Sequence, residues 1–316
     1  MKNCVYPNSV AEKSGLLPRI KKELRQNSCI YLMAIPVLLY YLIFHYGPMF
    51  GIIIAFKKYE IGRGIFASEW VGFKYFKEFF TGLYFKRTLR NTLLISIYDL
   101  LWGFPAPILF ALLLNEIRNT YFKKTVQIIT YLPHFISMVV FCGILMDFFS
   151  KNGVLTKLFM LFGGSNANYF GNPDYFRSIF VGSNIWQGIG WGSIIYLSAL
   201  SGISQDQYEA ATIDGAGRFR RVIHVTLPGL SSTIVIMLIL RIGQLLSVGY
   251  EKIILLYNPG TYETADVISS YVYRMGLGSG QYSFSTAVGQ FQSVINLILL
   301  ILANSVSKKY SETVLF

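Results

Sequence analysis

Between Ser204 and Gly229 the chain reads SQDQYEAATIDGAGRFRRVIHVTLPG. Ser204, with Gln207 three residues on, forms a capping-box pattern that starts a helix. Tyr208 to Asp214 continues it, and Gly215 supplies the left-handed conformation that ends one. A second short helix through Arg218–His224 follows. Pro228 then falls just inside the start of another helix, where its missing N–H costs nothing. The stretch thus reads as two short helices joined by a glycine elbow. Its flanks are long apolar runs, so this polar loop lies on one face of a membrane. From these residues alone, a solvated connector and a docking element both stand.

The rest of the 316 residues explains the flanks. Apolar residues make up 53% and charged ones only 14%, with mean hydropathy +0.47. A soluble domain carries roughly 25% charged residues to face water, so most of this surface must face lipid. Disorder, a coiled coil and a soluble nucleic-acid binder are excluded by the same figures. The net charge of +12 reflects 16 acids more than 28 bases, and the bases sit mainly between apolar blocks, where they meet anionic lipid rather than nucleic acid. Three widely spaced cysteines (Cys4, Cys29, Cys142) imply neither a disulfide framework nor a metal site.

Six blocks approach the roughly 20 apolar residues that cross a bilayer: Cys29–Phe56, Thr88–Leu114, Val126–Phe149, Ile179–Leu200, Leu230–Tyr250 and Ser285–Val306. The fold class expected is all-α and integral to the membrane, with six transmembrane helices. Pro36, Pro48, Pro105 and Pro107 predict kinks that packing tolerates. The organisation is a basic tail over 1–28, a six-span domain over 29–306 containing the 204–229 loop, and a short tail over 307–316. The first block is too long for a signal-peptide core and lacks a small-residue cleavage site, so it remains as an anchor. With the N-terminus inside, inner segments hold 14 Lys/Arg and the longer outer loops 12. That bias is weak, but the basic tail before the first span usually dominates, and both termini are expected to be cytoplasmic.

The spacing Glu209-Ala210-Ala211, three residues, Gly215, nine residues, Val225, one residue, Leu227-Pro228 resembles the EAA loop of ABC-importer permease subunits, which prefers Ile where Val225 stands. The stretches Phe104-PAPILFALLLNE-Ile117, Tyr131-LPHFIS-Met138 and Asn258-PGTYETADVISSYVYR-Met275 look like its carbohydrate-uptake branch, closest to lipoprotein/polysaccharide-type and multiple-sugar permeases. The resemblance implies the type I importer (MetI-like) fold, with the 204–229 loop as a coupling helix docked in a groove of a cytoplasmic ATPase. It also implies a bacterial cell-membrane location and a sugar or oligosaccharide substrate. The implied partners are a second permease as heterodimer, two ATPase subunits and an extracytoplasmic solute-binding protein. On that reading Ala210 and Ala211 permit close approach, and Glu209 offers a carboxylate for charge-assisted hydrogen bonds. Asp214 closes the helix, Gly215 turns the chain, Leu227 and Pro228 set the exit angle, and Arg218 meets the partner or lipid headgroups. No Gly-Lys dipeptide occurs, so there is no Walker A phosphate loop. ATP and Mg are therefore expected on the partner subunits, with no cofactor on this chain and no enzymatic activity of its own.

Intramembrane charges usually face a bundle interior or a watery path. Asp99 and Arg241 each fall about eleven residues into their spans, and Gln244 shares a face with Arg241. They line the translocation path or form a structural pair that fixes helix packing. Gln187 and Trp191 share a face of the fourth span, near Asn184 and Trp186, and Gln290, Ser293 and Asn296 share one of the sixth. These are candidate sugar contacts, with plain packing as the alternative. His45, His134 and His224 lack ligand or nucleophile spacing and read as structural. The Tyr-, Gly- and Ser-rich stretch 257–283 reads either as a surface or re-entrant connector or as a contact for the binding protein. A secondary transporter or channel working alone also fits six spans with buried charges. A membrane enzyme has no His/Cys/acid cluster behind it.

Overall fold

The computed structural model describes residues 26–310 and Leu315; the tails expected over 1–28 and 307–316 lie largely outside the described residues. The chain divides into two compact units, one ending at Ile53 and one beginning at Ile54. In the first, helix α1 (Ser28–Tyr41) carries Pro36 and passes through a π-helical turn, Leu42–Tyr46. None of its side chains is buried, as suits an apolar helix whose solvent is hydrocarbon.

The second unit is built from helices whose ends are set locally. Helix α2 (Lys74–Thr81) precedes α3 (Phe85–Tyr98). A π-helical turn, Asp99–Gly103, leads from α3 into α4 (Pro105–Glu116). The prolines explain that turn: Pro105 has no N–H to donate, and the chain inserts one residue so that the Phe104 N–H reaches the Asp99 carbonyl at 3.1 Å. Asn119 caps α5 (Thr120–Tyr131), and Ser137 caps α6 (Met138–Phe148). The third expected span is therefore not one rod but a pair of helices bent by 103°. Pro133 and the Ser137 cap break it.

Asn172 caps the 29-residue α7 (Pro173–Ser201), with Pro173 in its first turn. Beyond the polar loop, α8 (Leu227–Ile242) ends eight residues before the span expected to reach Tyr250. The Gly243–Gly249 stretch is a break, latched to the last helix α9 (Tyr282–Tyr310): Asn296 accepts the Leu246 N–H at 3.0 Å, and Gln292 donates to the Leu246 carbonyl at 2.7 Å. Among the described residues, four helical stretches are long and apolar enough to cross a membrane: Ser28–Phe56, Phe85–Glu116, Arg218–Ile242 and Tyr282–Lys309. The bent pair makes five.

Three buried clusters hold the second unit together. One joins Phe141, Phe176, Phe180 and Ile253, another Phe79, Tyr271, Phe284 and Val288, and a third Ile108, Tyr196, Leu200 and Leu230. Leu297, Ile298, Ile301 and Leu302 of α9 stay exposed, where lipid would cover them.

The 257–283 stretch, despite its loop-like composition, is packed. Ala265, Val267 and Ile268 are fully buried. Asp266, also fully buried, accepts from Arg87 at 2.9 Å, from Arg274 at 2.8 and 3.1 Å, and from Ser270 at 3.0 Å. The Asn91 amide donates to the carbonyls of Glu263 and Asp266 at 2.9 and 3.0 Å, and Arg177 donates to Asn91 at 2.8 Å. Burial opposes the Arg274 cation, but Asp266 outweighs it and raises its pKa.

Candidate translocation cavity and coupling loop

The second unit carries an open cavity of about 740 Å³ and a smaller one of about 160 Å³. Four side chains line both: Asp99, Asn184, Arg241 and Gln244. They stand at the boundary of the two spaces.

Asp99 opens the π-helical turn described above. Four residues on, Gly103 leaves it room, since a Cβ there would stand 2.9 Å from Asp99 Oδ1. Arg241 reaches across from the last turn of α8 and pairs with Asp99 Oδ2. The Asn184 amide donates to Asp99 Oδ1 at 3.3 Å. The Asp99 side chain is 11% exposed, whereas Arg241 is 47% exposed toward the cavity it lines. A carboxylate this far from water needs such partners to stay ionised.

Behind Asn184 stands a residue that spacing did not single out. Lys252, in the short helix Tyr250–Leu256, is 3% exposed. It donates to Asn184 Oδ1 at 2.6 Å and to the Phe180 carbonyl at 3.4 Å. Its ammonium lies over the rings of Phe141 and Phe180 at 5.1 and 4.9 Å. The one sequence signal was a lysine against the apolar run Ile253–Leu256, which span counting treats as loop.

The cavity gathers Asp99, Gln187, Arg241 and Gln244 of the expected path residues. It does not gather Trp191, Gln290 or Asn296. Trp191 stacks on His134, centroids 4.6 Å apart and planes within 4°, and His134, expected to be structural, lines the cavity. The buried Gln290 Oε1 has no partner among the described residues. Asn296 serves the latch on the Gly243–Gly249 break.

The polar loop is ordered at both ends of its first helix, Gln205–Ile213. Ser204 accepts the Asp206 N–H at 3.2 Å; the cap forms there rather than through the expected Gln207. Gly215 has φ +75°. The Gly215 N–H reaches Thr212 O at 3.1 Å and the Ala216 N–H reaches Ala211 O at 2.9 Å, a complete Schellman stop. The second helix is only Arg218–Arg221, continued by a π-helical turn over Val222–Thr226. Tyr208 to Thr226 at 3.1 Å and Arg221 to Thr212 at 3.2 Å hold the two arms together. Glu209, Ala210, Asp214 and Arg218 are exposed, Leu227 is half-buried, and Pro228 is exposed in the first turn of α8. Ile213 is 87% exposed and Phe219 78%, leaving two large apolar side chains bare on a polar loop.

Residues 79–312 match the family described as the binding-protein-dependent transport system inner membrane component. The chain is 48% identical over 294 residues to Protein LplB of Bacillus subtilis (93% of this chain, 92% of that one). It is 44% identical over 306 residues to the B. subtilis polygalacturonan/rhamnogalacturonan transport system permease protein YteP (96% and 95%). Among solved structures it resembles a chain of a bacterial alginate ABC transporter in complex with alginate pentasaccharide-bound periplasmic protein. There the TM-score is 0.86 and the identity 41%, covering 94% of this chain and 100% of that one. With its helical fold and its apolar helices in agreement, the chain belongs to the family of inner-membrane components of binding-protein-dependent transport systems.

Proposed function

We infer that this sugar-importer permease is moved by two separate ATPase subunits through the Gln205–Ile213 helix. The observation that carries the inference is the loop itself. A capped helix stopped at Gly215 presents Glu209 and Ala210 to solvent, with Ile213 and Phe219 bare beside them. Exposed apolar residues on a polar, ordered element suit burial by a partner. Closure of the ATPases on ATP would displace this helix and rock the packed helices as rigid bodies.

In this reading the 29-residue α7, about 43 Å long at helical rise, is the fourth span and brings the total to six. Its polar Asn184 and Gln187 turn to the cavity rather than to lipid. Both termini are cytoplasmic, a second permease completes the path, and an extracytoplasmic binding protein delivers the sugar. Asp99, Arg241, Gln187 and Gln244 line this chain's share of the path. The names of the relatives for polygalacturonan/rhamnogalacturonan and for the acidic polysaccharide alginate support oligosaccharides of acidic sugars as the substrate class.

Co-expression with candidate ATPase subunits followed by pull-down tests the coupling. Glu209→Ala and Gly215→Asp are each expected to weaken capture at least about tenfold, the scale of a lost charge-assisted contact. ATP-independent sugar uptake by the chain alone in liposomes would instead make it a secondary transporter.

A further inference from the structure

We propose that Lys252 is the standing second counter-cation of Asp99, acting through Asn184, so that Arg241 is the exchangeable half of its ion pair and is offered to a carboxylate of the transported sugar.

An amide has one acceptor end and one donor end. Lys252 only donates, and its 2.6 Å bond to Asn184 Oδ1 fixes which end is which. The amide N–H2 must then face Asp99, as it does at 3.3 Å. Lys252 thus orients and polarises the group that holds the carboxylate. No carboxylate lies within ion-pair reach of Lys252 among the described residues; its other partners are a carbonyl and two ring faces. The cluster therefore holds two cations for one anion.

Burial decides which cation can leave. Lys252 is sealed at 3% exposure, while Arg241 is 47% exposed on the 740 Å³ cavity. If Arg241 were the sole partner of Asp99, releasing it would strand a buried charge at prohibitive cost. With Asn184 polarised from behind, Asp99 stays compensated and the planar guanidinium is free to take another carboxylate in bidentate fashion. A neutral sugar offers no such exchange. This rests on the cavity being the sugar path, and it makes Lys252 a positioning residue rather than a substrate contact.

Phenylglyoxal labelling of Arg241 in the full chain in lipid nanodiscs, at pH 6 and read by mass spectrometry, tests the exchange without any ATPase. Lys252→Met is expected to slow labelling roughly tenfold by tightening the Asp99 pair. Asn184→Leu, which cuts the connection but keeps Lys252, is expected to do the same and serves if the first variant does not fold. Adding Asp99→Asn to either should return labelling to at least the wild-type rate. Millimolar galacturonate should slow wild-type labelling about twofold or more, and galactose should not. Labelling unchanged by both single variants would overturn the proposal, as would equal protection by the two sugars. Because none of these readings needs ATP, their failure is separate from a failure of ATP-driven uptake by the assembled importer, which would sink the transport reading.

Discussion

Asp266→Ala is expected to destabilise the second unit by about 3–5 kcal/mol, the usual cost of breaking a buried pair from one side. The carboxylate is fully buried and takes three bonds from Arg87 and Arg274. Its loss leaves two guanidinium groups facing each other with no anion between them. Arg274 keeps its ring contacts with Tyr262 and Tyr271, at 5.2 and 5.6 Å; cation–π attraction of about 0.5–1 kcal/mol at partly exposed sites does not replace the pair. Thermal unfolding in nanodiscs should show a Tm lower by on the order of 10 °C. Asp266→Asn, which keeps an acceptor for Ser270, should lose less. An unchanged Tm for the alanine variant would mean that Asp266 does not tie the 257–283 segment to α3.

Gly190→Ala is the second large effect expected. A Cβ at Gly190 would stand 2.3 Å from the Thr130 carbonyl oxygen, 2.5 Å from its carbon and 2.8 Å from the Tyr131 ring. Two of the three are backbone atoms, so no rotamer change relieves them, and α5 and α7 must move apart. Overpacking of this kind costs about 3 kcal/mol. Gly188→Ala is the control, because nothing lies within 4 Å of its would-be Cβ. It should be neutral or slightly stabilising through helix propensity. Detergent-resistant yield of the two variants, measured side by side, separates them. Equal yields would show that the helix crossing yields more easily than its geometry indicates.

The two variants also mark how far the sequence was readable. Spans announced themselves because apolar runs register locally, and the 204–229 loop did so because caps, elbow and proline act within a few residues. The break after Ile242 was hidden, since Gly243–Gly249 is apolar enough to extend the preceding run; its latch comes from Gln292 and Asn296, some fifty residues later. Asn296 shares a helix face with Gln290 in the sequence, and only the folded chain shows its oxygen taking the Leu246 N–H and its amide donating to the Ser247 hydroxyl. Gly190 looked like any helical glycine, for close approach to Thr130 is a property of two helices.

By itself the sequence determined the solvent of this protein, the approximate places where helices run, and the loop that carries its family. Those depend on composition and on short-range hydrogen bonding, which residues i to i+5 specify among themselves. Tertiary structure alone decided which of the few polar residues meet. Asp99 and Arg241 are paired across 142 positions of chain, and Lys252 reaches Asp99 only through an amide on a third helix. Their partnership follows from a proline-induced extra residue at Asp99–Gly103 and a helix ended early at Ile242. Neither changes the hydrophobic pattern, and together they set where each charge points.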